Sequence, residues 1–179
     1  MDTVECIKTR RSIRSFTSQK VTHDMLEQII ETAAFAPSWK NTQVTRYYAI
    51  EKDDVKAVIA DEYSPDYNQE IIRKAPLLVA LTMVRSRSGY ERDGSFSTVK
   101  ETGWQMFDCG IAAQTFCLAA HDKGLGTVIM GVFDYEKTAA LLNIPDSEEI
   151  TALIAVGYSD TKDVPVPKRK ALDILLTYC

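Results

Sequence analysis

The side chains with the most chemical potential cluster near the two ends of the chain. Arg10, Arg11, Ser12, Ile13 and Arg14 set three guanidinium groups around a hydroxyl, and Lys168, Arg169 and Lys170 form a second basic cluster. A phosphate dianion accepts bidentate, charge-assisted hydrogen bonds from Arg and a further bond from Ser. Each such bond contributes about 1.5–3 kcal/mol. A solvated helix end with surface salt bridges accounts for the first run equally well. A third candidate, Ala36-Pro37-Ser38-Trp39-Lys40-Asn41-Thr42-Gln43, offers amides, hydroxyls and a flat aromatic surface in one polar turn. Its Asn and Gln amides suit the alternating donors and acceptors of a flavin pyrimidine edge or ribityl chain. An ordinary helix-to-strand loop with a buried Trp fits the same residues.

Other chemistries find no motif. There is no Walker A lysine loop, no GxSxG elbow and no His-based triad. His23 and His121 stand in no HExxH or Cys/His spacing, so no metal site is expected. Gly124, Gly126 and Gly131 lack dinucleotide spacing and lead from a helix into a strand, the reverse of a Rossmann fingerprint.

The elements that must position these residues are legible from periodicity. Thr22 can cap a helix carrying Met25, Leu26, Ile29, Ile30, Ala33 and Ala34 at three-and-four spacing, ending at Pro37. Four apolar runs, 47–50, 77–83, 127–133 and 151–158, read as strands of one central sheet. Residues 101–123 form a long helix, apolar almost all round through Trp104, Phe107, Ile111, Ala112, Ala113, Phe116, Leu118 and Ala119, which predicts burial on several sides. Gly124 ends it, and Asp134 can cap a short helix over 135–142. Strands mixed with covering helices indicate a three-layer α/β or α+β arrangement. The polar stretch 85–95 reads either as a mobile loop that shapes a pocket or as a disordered connector. The apolar tail 172–178 needs a partner surface, on its own core or on a second subunit.

A chain of 179 residues, 45% hydrophobic, suits one compact domain. A net charge of -4 argues against nucleic acid as a partner, because phosphate-backbone binding needs a basic surface. No apolar signal core or membrane-length run is present, so a soluble, cytoplasmic protein is expected. Cys6, Cys109, Cys117 and Cys179 show no CxxC pairing and read as reduced thiols.

Taken in order, RRSIRSF (10–16), APSWKNTQ (36–43), DCGIAAQ (108–114), GLGTVIMG (124–131) and VPVPKRKAL (164–172) make the chain resemble the nitroreductase family of FMN-dependent oxidoreductases. Each motif alone is weak; the five in sequence are specific, and they span nearly the whole chain. The resemblance implies an α+β fold, a three-layer α-β-α sandwich with a central mixed sheet, in one FMN-binding domain over 1–179 with 159–179 as a C-terminal arm. It implies a homodimer with FMN at the interface and both subunits contributing to each of two equivalent sites.

Carried over by motif, Arg10, Ser12 and Arg169 hold the FMN phosphate, supported by Arg11, Lys168 and Lys170. Arg14 lies near flavin N1 and O2 and stabilises the reduced flavin. Pro37, Ser38 and Asn41, with Gln43 on the same surface, come from the other subunit, and Met130 and Gly131 line the ring near N5 through backbone atoms. The implied activity takes hydride from NADH or NADPH and reduces nitroaromatics, quinones or similar small acceptors by a ping-pong scheme, with no obligatory catalytic side chain. Dehalogenation or small-substrate oxidation on the same fold, and a flavin-binding or storage module without turnover, remain the alternatives. Asp108 and Gln114 are assigned to interface hydrogen bonding ahead of catalysis, and Trp104 to packing. Residues 63–75 and 85–100 match no recognisable substrate lid.

Overall fold

Alternating side chains on the central strand divide the molecule into layers. The computed structural model describes residues 1–179. Strand β2 (Leu77–Val84) sits between β1 (Thr45–Ile50) and β4 (Glu148–Gly157), and β3 (Gly126–Met130) lies outside β4, in the order β1-β2-β4-β3. Leu78 and Ala80 of β2 face one cluster with Ile59, Ile72 and Leu153, while Leu77 and Val79 face another with Ile29, Phe116 and Ile154. The first cluster is covered by α3 (Asp53–Tyr63), α4 (Asp66–Lys74) and α6 (Tyr135–Leu141). The second is covered by α2 (His23–Ala33) and α5 (Gly103–Asp122). This is the expected α+β sandwich: period-two apolar strands with amphipathic helices on both faces.

All four strands pair antiparallel. The expected mixed character is confined to an isolated parallel bridge between Ser12 and Thr127. Strand β4 begins at Glu148, earlier than the apolar run, because Glu148, Glu149 and Ile150 continue the ladder opposite Val84, Met83 and Thr82 beyond a bulge at Leu81/Thr82. Strand β3 stops at Met130, where its ladder ends opposite Leu153, and Phe133 returns to the core just before Asp134 caps α6.

Thr22 caps α2 by accepting from the Met25 N–H at 3.2 Å, and Leu26, Ile29 and Ala33 are its buried stripe. Helices α3 and α4 fill the stretch between the first two strands, to which the sequence alone assigns no element. A core-facing position of α3 is filled by Lys56, whose ammonium donates to the Ala75 carbonyl at 2.8 Å and pairs with Asp53. On α4 the inward stripe reads Asn68, Ile71, Ile72.

Two expectations change. Helix α5 is not buried all round: Met106 and Phe107 are 50% and 60% exposed, and Gly110 and Gln114 continue the open stripe. Residues 85–97 fold back on themselves rather than forming an open connector, closed by Glu91 N–H to Ser95 O and Ser97 N–H to Gly89 O, both 2.8 Å, with the Tyr90 and Phe96 rings 4.8 Å apart. The left-handed Gly89 (φ +82°) is required at this turn, since a Cβ there would meet the Glu101 carbonyl at 2.7 Å.

A short helix α1 (Thr3–Thr9) opens the chain, and α7 (Leu172–Leu175) closes it on an arm. The arm leaves Leu172, Ile174, Leu175, Leu176 and Tyr178 exposed, so these apolar side chains are not docked on their own core. No helix is long and apolar enough to cross a membrane. All four cysteines are free.

Candidate active site

The Arg10–Arg14 run is not a loose helix end. Arg10 caps α1, its N–H donating to the Cys6 carbonyl, and the chain then lies along the sheet. Ile13 N–H donates to Thr127 O at 3.0 Å, and Thr17 N–H to Tyr158 O at 2.9 Å, which pins the segment across the starts and ends of β3 and β4. Close approach depends on bare backbone at Gly126 and Gly157: a Cβ on Gly157 would meet Pro76 Cδ at 2.5 Å and Phe16 Cδ1 at 3.0 Å.

This docking fixes where the cations project. Arg11 Nη1 is occupied by the Lys8 and Arg10 carbonyls at 2.7 Å each. Arg14 Nη1 reaches only the Ser12 carbonyl, at 3.3 Å. Arg10 Nε is buried and has no hydrogen-bond partner, a costly state for a charged donor that an anion such as a phosphate would relieve. His121, hydrogen-bonded to Thr9 Oγ1 at 2.9 Å, has its pKa lowered by burial and then by the nearby Arg10 and Arg11 charges.

Arg14, Met130 and Gly131 line one cleft of about 370 Å³, together with Tyr67, Asn68 and Ile71 of α4, Val128 and Ile129 of β3, and Val132 just beyond it. The Gly131 carbonyl already accepts the Tyr135 hydroxyl at 2.6 Å. Its N–H remains as the backbone donor at the cleft. Asn68, 6% exposed, donates to Val132 O at 3.3 Å. Sequence reasoning missed Tyr67 and Asn68. The available signal was a polar Asn on the otherwise apolar stripe of an amphipathic helix.

Pro37, Ser38 and Gln43 line a different cavity of about 560 Å³, with Thr42, Arg46, Tyr47 and Asp108, and share no residue with the Arg14 cleft. Trp39–Asn41 makes a 3-10 turn, and Lys40, Asn41 and Gln43 adopt positive φ of 45°, 54° and 48°. Such conformations cost roughly 1–2 kcal/mol each for residues with a Cβ. The turn is held by Ser38 Oγ, which accepts the Gln43 N–H at 3.0 Å, and by Asp108 Oδ2, which accepts the Trp39 N–H at 2.9 Å. Trp39 Nε1 and Thr42 Oγ1 are buried without partners.

Asp108 therefore makes hydrogen bonds inside the chain, where interface bonding was expected. It also accepts from Ser88 Oγ at 2.5 Å. Lys40 pairs with Glu91 at 2.9 Å, and the Ser97 hydroxyl followed by the Lys40 ammonium holds the Glu91 carboxyl below its usual range. Trp104 packs as expected, 4.6 Å from Trp39 and 5.6 Å from Phe107 between ring centres. Lys168, Arg169 and Lys170 are exposed on the arm and line neither the Arg14 cleft nor the Pro37 cavity.

Comparisons with known proteins fit this geometry. A solved structure of a nitroreductase family protein from Clostridium novyi NT superposes with a TM-score of 0.76 at 31% identity, covering 89% of this chain and 86% of that one. The FMN reductase [NAD(P)H] of Bacillus subtilis is 27% identical over 176 residues, covering 93% of this chain and 70% of its own length. Iodotyrosine deiodinase 1 of Mus musculus is 25% identical over 198 residues, covering 96% of this chain and 67% of its own. The model of the Nitroreductase family matches residues 7–65 and 51–158, and with the sandwich fold and the docked basic segment it shows that this chain belongs to the nitroreductase family.

Proposed function

We propose that the chain is an FMN-dependent oxidoreductase that uses NADH or NADPH to reduce nitroaromatics, quinones or similar small acceptors in a ping-pong scheme. The observation that carries this reading is the unpartnered buried Nε of Arg10, on the same docked segment that delivers Arg14 to a cleft with Met130 and Gly131. When bound, FMN supplies the two-electron chemistry, taking hydride from the nicotinamide and passing it to the acceptor.

The residues present fit that group. Arg10 and Ser12, with Arg11 beside them, supply charge-assisted donors for a phosphate at the end of α1. Arg14 offers a cation for negative charge on a pyrimidine edge, and the Gly131 N–H offers a backbone donor at the same cleft. Tyr67 and Asn68 add an aromatic face and an amide to the same cleft.

Pro37, Ser38 and Gln43 line a separate cavity, which supports a role for this turn at the cofactor of a second subunit. On this reading Pro37, Ser38, Asn41 and Gln43 contact the flavin of the partner copy in a homodimer. The exposed Met106, Phe107, Gly110 and Gln114 stripe on α5 is the contact face for that copy. The undocked arm carries Lys168, Arg169 and Lys170 to the phosphate, over the single domain 1–179, in the cytoplasm.

A second reading keeps FMN and changes the reaction, to dehalogenation or small-substrate oxidation. Similarity to the mouse deiodinase over 96% of the chain favours keeping it in view. The visible spectrum before and after anaerobic NADH or NADPH tests the proposal. A yellow protein that bleaches with either nicotinamide supports it, and one that binds no flavin sinks it. Acceptor screening of the pre-reduced protein then separates the two reactions.

A further inference from the structure

We propose that Asp108 is a positioning residue that sets the geometry of two loops at once, the Trp39–Gln43 turn and the 86–97 loop, and so couples the cofactor contact to the fold of the second loop.

Asp108 is 3% exposed on α5 and has no ion-pair partner. A buried carboxylate is costly unless its lone pairs are used. Both recorded hydrogen bonds fall on one oxygen: Oδ2 accepts the Trp39 N–H at 2.9 Å and the Ser88 hydroxyl at 2.5 Å. Neither donor is on α5, so the helix itself gains nothing from the charge. What the carboxylate holds is the first amide of a turn that then runs through the left-handed Lys40, Asn41 and Gln43. A turn with that much backbone strain persists only when its surroundings over-determine it.

The other donor, Ser88, is buried at the base of the loop closed by the Tyr90–Phe96 bridge. The same two loops meet again at the Lys40–Glu91 ion pair, 2.9 Å, and the Trp39 ring packs on Trp104, whose indole N–H donates to Thr98 at 2.8 Å. The exposed ion pair is screened by solvent, and the buried carboxylate is the stronger of the two ties. Asp108 is thus the fixed point from which both loops are hung.

This inference rests on the flavin reading for the role of the Trp39–Gln43 turn, and on the chain's own hydrogen bonds for the coupling. The test uses the full-length protein with Asp108→Ala, Asp108→Asn and Ser88→Ala. In Asp108→Ala, amide exchange at Trp39–Gln43 and across 88–97 should accelerate together, and the FMN Kd should rise about tenfold or more. Asp108→Asn keeps an oxygen for both donors and should recover most of both losses. Ser88→Ala should loosen 88–97 while exchange at Trp39–Gln43 and the FMN Kd stay at the wild-type values.

A folded Asp108→Ala protein with unchanged exchange in both loops and unchanged FMN Kd overturns the proposal. If Asp108→Ala does not fold, Ser88→Ala decides: unchanged exchange at 88–97 overturns it equally. If the wild-type protein binds no FMN, the functional reading fails, and the exchange comparison still decides whether Asp108 positions the loops.

Discussion

Ile13 lies against the bare α-carbon of Gly126: a Cβ there would meet Ile13 Cγ1 at 2.5 Å and Cβ at 2.7 Å. The glycine that starts β3 therefore sets how closely the Arg10–Arg14 segment docks. Gly126→Ala should push Ile13 off the sheet, destabilising the fold by about 1–3 kcal/mol and weakening FMN binding more than a distant mutation of equal stability cost. Thermal denaturation paired with flavin titration checks this. An Ala variant with wild-type stability and affinity would show that the contact relaxes freely.

Arg10→Ala removes the buried donor that lacks a partner within the chain. The FMN Kd should rise by about 10- to 100-fold, since a charge-assisted bond of about 1.5–3 kcal/mol is lost. Stability of the flavin-free protein should change little or improve, because an unsatisfied buried group goes with it. A stability loss with unchanged flavin affinity would make Arg10 a structural residue.

Phe107→Glu on the open stripe of α5 should convert the proposed homodimer to monomer. Burying each Phe is worth about 1.5–3 kcal/mol, and a two-fold interface loses the contact twice and gains two buried charges. Sedimentation velocity reads the outcome directly. A variant that stays dimeric removes this face of α5 from the interface.

The two histidines should titrate on opposite sides of 6.5. His23 is raised by its hydrogen bond and charge contact with Glu51, while His121 is lowered by burial and by Arg10 and Arg11. For His121 the folded protein binds the proton less well than the unfolded chain. Its contribution is therefore present above 6.5 and is lost as the pH falls from 6.5 through the lower folded value. His23 has the reverse sign: its contribution is present below 6.5 and lost as the pH rises through the higher folded value. Imidazole resonances in an NMR titration check the order, and His121→Gln should flatten the acid side of the stability profile. Coincident midpoints would refute at least one of the two shifts.

Much of the framework was legible because its signals are local. Thr22 followed by an apolar three-and-four stripe gave α2, and the strand runs needed no knowledge of their neighbours. What escaped notice depends on partners far along the chain. Glu148 and Glu149 are polar yet belong to β4, because a bulged ladder with β2 recruits them. Lys56 breaks the apolar stripe of α3 because its ammonium finds the Ala75 carbonyl.

The same division holds for the candidate site. Arg14, Met130 and Gly131 were expected together and share one cleft. Tyr67 and Asn68 join them from α4, a stretch to which the sequence alone assigns no element. The Trp39 and Ser88 partners of Asp108 are 69 and 20 residues away in sequence, beyond the reach of any spacing rule.

The Arg14 cleft and the Pro37 cavity have no residue in common, and this has a genetic corollary for the dimer proposed above. A subunit damaged only at Arg10 and another damaged only at Ser38 would each fail as homodimers. Mixed together, they would concentrate both lesions in one site of the heterodimer and leave the other whole. Co-expression of two inactive alleles should then restore flavin binding to half the sites of each heterodimer, about a quarter of all sites when subunits pair at random, the arithmetic of intersubunit complementation.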